Sequence, residues 1–288
     1  MILRYDRLGL QIPSGDPDPA GAAAVQELMG GRFGEMSTFM NYTLQSFGFR
    51  DRSELRPFYD LITNIAAEEF GHIEAVGATI TSMLSGASVR QIMESGMPGH
   101  ALVSGKGVLP VGSDGSAWTG DYVFSSGDLV ETLTHNFFLE TGARNGKLRV
   151  YETVDHPAAR GLTAYLLIRG GVHQVAYARA LELLTGADLT KAFPMPRIPT
   201  DKIPECRPYL ERGNHLTLYR FSPNDYTEMH AVFRGSHPET GGELRVADTP
   251  PEGFAWPEQP PQADVFAPDY APDEIAEIAR TLRDQAGL

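Results

Sequence analysis

Cysteine is nearly absent: Cys206 is the only one in 288 residues. A single thiol permits no intrachain disulfide and no thiolate-held metal cluster, and it fits a reducing compartment. Clusters of Lys and Arg are missing as well. With 37 acidic against 24 basic residues the formal charge is −13, and nothing along the chain offers a footprint for a phosphate backbone, so nucleic acid is not an expected partner. No run of eighteen residues is apolar throughout, and the opening MILRYDRLGLQIPSGDPDP has no sustained apolar stretch behind its charges. Neither a membrane segment nor a secretory leader is therefore expected, and the expected location is the cytoplasm. What remains is ordinary for a globular chain, 42% hydrophobic and 21% charged residues.

Four segments carry a helical period, roughly Pro19 to Phe47, Ser53 to Leu84, Asp121 to Val150 and Pro157 to Thr185. Gly48, Gly86 and Gly186 stand where a left-handed cap is wanted, and Pro157 suits a first helical turn. The Gly- and Ser-rich stretch from Ser85 to Gly120 is too long for a tight turn and is expected to cross over the bundle. After Gly186 the character changes, because 14 of the 21 prolines fall in the last 102 residues. The expectation is a mainly α, ferritin-like four-helix bundle in residues 1–186. Residues 187–288 form an extended, proline-rich tail that wraps the bundle or a neighbouring subunit, with strand-like runs at His215 to Phe221 and Met229 to Phe233 and a last helical period near Pro272.

The inward rows hold the unusual residues. In the second segment the seam reads Phe58, Ile62, Ile65, Glu69, His72, Val76, Thr79 and Met83, so a carboxylate and an imidazole project from one face into an apolar core. The third reads Leu129, Leu133, Asn136, Glu140, Ala143, Lys147 and Val150; the fourth reads Leu162, Leu166, Arg169, His173, Ala176, Ala180 and Leu183. The first gives Leu28, Arg32, Glu35, Phe39, Tyr42 and Ser46. Burying three carboxylates uncompensated costs several kcal/mol each. Lys147 and Arg169 can neutralise part of that charge. Two divalent cations neutralise all of it and use the neutral imidazoles as ligands. Glu35, Glu69, His72, Glu140 and His173 are thus the expected metal ligands, in the pattern of dimetal carboxylate bundles. Glu68 points about 100° away from Glu69 and reads as solvent-facing or packing-related. His100, His135, His156, His215, His230 and His237 join no row and read as surface or loop residues.

These segments resemble the manganese catalases, a non-haem family with a ferritin-like bundle. The likeness runs from about Met1 to Lys191 through GRFGEMSTFMNYTLQSFGF, NIAAEEFGHIE, FFLETGARNGKLRVYE and YLLIRGGVHQVAYARALELLTG. The resemblance implies two manganese ions bridged by Glu69, with Glu35 and His72 completing one coordination set and Glu140 and His173 the other. It implies outer roles at the centre for Tyr42 and Lys147, each two turns beyond a ligand carboxylate; their plain alternatives are a core tyrosine and a snorkelling lysine. It further implies hydrogen peroxide as substrate, with dioxygen and water as products, and a homohexamer. Two departures stand out. Gly170 occupies a position where some members carry a carboxylate, and Leu139 replaces an arginine found in some members before the third-helix glutamate. The proton-transfer group is then open, and the expected consequence is either a lower activity or a wider entrance. Arg169 either supplies part of the missing charge or serves a surface or interface. Two rival readings remain at this point: a di-iron oxidase or oxygenase on the same bundle, and a non-catalytic protein that keeps the metal for folding.

Overall fold

Pro157 and Gly186 bound a helix where the sequence punctuation places its ends. The helix Pro157–Thr185 starts on His156, whose ring accepts from the Ala158 N–H, and closes on Gly186 at φ 73°, a left-handed turn that glycine enters without strain. The computed structural model describes residues 7–87, 89–95, 107–192, 198–258 and 272–287. The principal helices are α1 (Pro19–Gly30), α2 (Glu35–Ser46), α3 (Arg56–Leu84), α4 (Leu129–Thr153), α5 (Pro157–Thr185) and α6 (Pro272–Ala286). The bundle pairs α2 with α3 and α4 with α5, and the two pairs face one another through α3 against α5 and α2 against α4.

The first predicted helix is two. The chain breaks between Gly30 and Glu35 because the Gly31 N–H caps Glu27 and Gly34 comes down on the end of α1; a Cβ at Gly34 would lie within 2.9 Å of the carbonyl oxygens of Met29, Glu27 and Leu28. Arg32 and Phe39 consequently leave the inward row, Arg32 for an exposed position over the Tyr122 ring. Glu35 sits at the first turn of α2 rather than mid-helix, where free N–H groups and the helix dipole favour a carboxylate. α4 also starts later than expected, at Leu129, because Asp128 accepts from the Glu131 N–H and caps it there.

The crossover is held by polar side chains that would otherwise be misplaced in a core. Gln26 donates to the Leu109 and Val111 carbonyls (2.6 and 3.0 Å), Asn41 donates to Tyr122 O and accepts from Phe124 N, and Gln45 donates to Phe124 O. Each pays the hydrogen bonds of backbone that would otherwise be buried unpaired.

Beyond Gly186, residues 198–247 lie against the bundle, whereas the described side chains of α6 are exposed. Leu218, Tyr226, Met229, Val232, Phe233 and Leu244 pack in one cluster with Phe58, Ile62, Leu133, Phe137 and Val172. Strand β1 (Thr217–Tyr219) pairs in parallel with β2 (Arg245–Ala247), and Asn64 of α3 tethers it by donating to Tyr219 O and accepting from Phe221 N. The other strand-like run, Met229 to Phe233, is instead part of a 3₁₀ turn at Glu228–Ala231, whose Glu228 N–H is captured by the buried Asp60 carboxylate. His100 lies outside the described residues. No helix among the described residues is long and apolar enough to cross a membrane.

Candidate metal centre

The five predicted side chains converge in the middle of the bundle, all at most 1% exposed. They form two groups that share one member: Glu35, Glu69 and His72, and Glu69, Glu140 and His173, each group with ligand atoms within 4.8 Å of one another. Glu69 divides its two oxygens between them. Its Oε2 lies 3.0 Å from His72 Nδ1, and its Oε1 lies 2.7 Å from His173 Nδ1. His72 Nδ1 is 3.4 Å from Glu35 Oε2, and His173 Nδ1 is 3.4 Å from Glu140 Oε1. Both imidazoles therefore present the same nitrogen, Nδ1, to Glu35, Glu69 and Glu140.

Tyr42 and Lys147 arrive where the helical spacing sends them. Tyr42 donates to Glu140 Oε1 at 2.8 Å, and Lys147 Nζ lies 2.9 Å from Glu35 Oε1. Burial, reinforced by Glu140, pushes the Tyr42 hydroxyl well above its usual range, so the proton stays on the phenol. Burial opposes the charge on Lys147, but Glu35, Glu140 and Glu69 outweigh it and hold the ammonium protonated. A residue that the spacing did not single out completes the support: Thr38, one turn after Glu35, donates to Glu69 Oε2 at 3.0 Å.

Without metal, protons supply the missing cations. Burial would discharge His72, yet Glu69, Glu35 and Glu68 raise it to about 10, and Glu68 and Glu69 likewise outweigh burial at His173 and raise it well above normal. Ion pairs aside, both oxygens of Glu35, Glu140 Oε2 and His173 Nδ1 make no hydrogen bond among the described residues although fully buried. Buried acceptors of this kind are costly unless something binds them. Carboxylate oxygens with imidazole nitrogens form a donor set suited to a divalent transition metal. The residues present fit a pair of such ions.

Glu68 is not at the surface. It is 2% exposed, paired with the fully buried Arg169, and its Oε2 lies 3.0 Å from His173 Nε2. The 100° turn away from Glu69 does not reach water because the chain around Asn214 to Tyr219 covers that flank of α3; Asn214 and Tyr219 line a small pocket together with Glu68. Arg169 accordingly serves Glu68, not the space left by Gly170. That space is filled by Arg144, from the turn after Glu140: a Cβ at Gly170 would meet Arg144 Cγ at 3.2 Å and Glu140 Oε2 at 3.3 Å. Of the two expected consequences, the wider entrance is therefore closed at this point by a side chain. Beyond Arg144 lies a cavity of about 650 Å³, lined also by Gly171, Gln174, His215 and His237. Leu139 joins the apolar core. His156 caps α5, His135 stacks on Phe124, and His230 is exposed.

Comparison with known proteins agrees with this geometry. The sequence model of the family described as manganese containing catalase matches residues 4–288. An uncharacterised Bacillus subtilis protein, YjqC, is 30% identical over 264 residues, covering 87% of this chain and 91% of that protein. A Bacillus subtilis manganese catalase is 32% identical over 193 residues, or 62% of this chain and 70% of the relative. The crystal structure of KatB, a manganese catalase from Anabaena, shares the fold with a TM-score of 0.59 at 24% identity, covering 87% of this chain and 100% of the other.

Proposed function

Because this chain belongs to the manganese-containing catalase family, we propose that it converts two molecules of hydrogen peroxide into two of water and one of dioxygen, in the cytoplasm, at a dimanganese centre held by Glu35, Glu69, His72, Glu140 and His173. The observation that carries this reading is the divided carboxylate of Glu69, with one oxygen turned to the Glu35 and His72 half and the other to the Glu140 and His173 half. Manganese held by these five residues would supply the two-electron oxidation and reduction that the disproportionation requires.

The protein's own groups do the rest. Thr38 fixes the rotation of Glu69, so that its two oxygens stay turned to opposite halves. Tyr42 holds its proton at Glu140 Oε1 and Lys147 holds one at Glu35 Oε1, one donor on each half of the centre. Disproportionation consumes no net protons, so both groups act as fixed hydrogen-bond donors that orient and polarise what binds beside them. Complete burial of the five ligands keeps bulk water from competing with peroxide.

Self-association, in the hexamer implied by the resemblance, belongs to the same proposal. Exposed Phe47, Phe138 and Leu183 support it, as do exposed Ile278 and Leu282 on α6. The test is joint measurement of manganese, iron and oxygen release from peroxide on protein purified without added metal. Two manganese ions per chain with rapid oxygen release are expected, and both are expected to vanish in Glu69→Gln and His173→Ala. Iron at these sites with no oxygen release would point to the oxidase alternative instead.

A further inference from the structure

We infer that Glu68 is a shared positioning residue, a single carboxylate that orients both metal-facing histidines and is itself pinned by Arg169 to the C-terminal segment. This rests on the reading of the centre given above. His72 from α3 and His173 from α5 lie with ring centroids 5.6 Å apart and planes 24° from parallel. Each turns Nδ1 toward the ligand carboxylates and Nε2 toward Glu68. His173 Nε2 is 3.0 Å from Glu68 Oε2. His72 Nε2 is 3.7 Å from Glu68 Oε1 and makes no hydrogen bond among the described residues. An Nε2–H held by a carboxylate leaves the lone pair on Nδ1 and fixes the plane of the ring, which is how outer carboxylates orient metal-binding histidines. One carboxylate has enough lone pairs to serve two rings and a guanidinium; an amide has one acceptor oxygen and does not.

The guanidinium grips Glu68 at two points, Nε to Oε1 at 2.5 Å and a terminal nitrogen to Oε2 at 3.0 Å. Its other terminal nitrogen donates to the carbonyls of Asn214 and Thr217, both at 2.8 Å, at the entry to β1, and the guanidinium carbon Cζ lies 4.7 Å from the Tyr219 ring centre. A fully buried ion pair is weak evidence for stability, since well-packed apolar side chains of the same volume do as well. What apolar replacements cannot do is hold two imidazoles in one tautomer. The segment after Gly213 therefore reaches the centre through a relay, from backbone carbonyl to Arg169, to Glu68, to the two rings.

The test measures manganese affinity, by competition with a chelating fluorophore, and thermal unfolding on the full-length wild type, Glu68→Gln and the double variant Glu68→Gln with Arg169→Met. E68Q is expected to weaken manganese binding by about 10- to 100-fold. Adding R169M removes the stranded cation and is expected to restore the unfolding midpoint while leaving the affinity low. Affinity that returns with the midpoint would reduce the pair to a structural ion pair and overturn the inference, as would wild-type affinity in E68Q. If the double variant does not fold, a crystal structure of the manganese-loaded wild type decides. Nδ1 of both rings on metal with both Nε2 atoms within about 3.2 Å of Glu68 supports the shared role; either Nε2 on another acceptor ends it. A wild type that takes up no manganese overturns the metal-centre reading itself.

Discussion

Replacing Lys147 by Met is expected to weaken the metal-free protein and at the same time tighten its hold on manganese. Lys147 Nζ and Glu35 Oε1 are 2.9 Å apart, with both side chains at most 2% exposed. Removing one partner of a buried pair leaves the other charged and unpaired, at a cost of about 3–5 kcal/mol. At about 2–4 °C per kcal/mol for a chain of this size class, the metal-stripped variant should unfold about 10 °C below the stripped wild type. In the loaded protein Glu35 faces divalent cations instead, so only one hydrogen bond is lost, about 1 kcal/mol or about 3 °C. The gap between loaded and stripped forms thus widens by about 2–4 kcal/mol, and by linkage manganese binds the variant more tightly by that amount. Calorimetry at one scan rate, on wild type and variant, each stripped and reloaded, reads all four midpoints. Equal losses in the two forms, or a stripped variant as stable as wild type, would refute the assignment of Lys147 as the counter-charge of Glu35.

Three further outcomes follow from individual contacts. Tyr42→Phe removes the 2.8 Å bond to Glu140 and should keep two manganese ions per chain. Its loss of about 1.5–3 kcal/mol should appear as a tenfold or larger fall in oxygen release, and an unchanged rate would take Tyr42 out of the site. His237 is depressed from 6.5 to about 4, by burial first and then by His215 and Arg144. From pH 6.5 downward the unfolded chain takes up a proton that the folded one refuses until about pH 4. Stability is accordingly lost across that window, by about 1–2 kcal/mol after allowance for solvent screening. His237→Asn, which keeps an acceptor for the Glu239 and Thr240 N–H groups, should flatten the decline in urea midpoints between pH 7 and about pH 4.5; an identical slope argues against it. Burial pushes the Cys206 thiol up to about 12, so a maleimide should label it only after denaturation, and labelling of the native protein would contradict its burial.

Seams were the most legible part of the sequence. Glu69 with His72, Glu140 with Lys147, and Arg169 with His173 lie on regular helices whose inward faces are also marked by Leu, Ile and Ala, so the period alone brought them to one side. Glu35 was found for the right reason on the wrong scaffold. The row from Leu28 through Arg32 to Tyr42 implies one continuous helix, whereas close contact of Gly34 with the end of α1 starts a new helix at Glu35. Thr38 carried no signal, because a threonine one turn from a carboxylate is common on any helix. Met229 to Phe233 read as strand from its apolar residues, but burial against α3 and the capture of Glu228 by Asp60 wind that run into a turn.

By itself the sequence determined which side chains can share a bundle interior, since helical spacing and apolar neighbours fix the face on which a residue lies. It also marked the long crossover and, through Pro157 and Gly186, the limits of α5. Only the tertiary structure decided what each buried charge meets. Lys147 took Glu35, Arg169 took Glu68, and Arg144 filled the space beside Gly170. The reason is physical: periodicity assigns a direction around one helix axis, whereas whether that direction ends in water, a carboxylate or a returning segment of chain depends on what packs opposite. At Glu68 the segment from Asn214 to Tyr219 packs opposite, and it turns a residue that reads as solvent-facing or packing-related into the one that both histidines face.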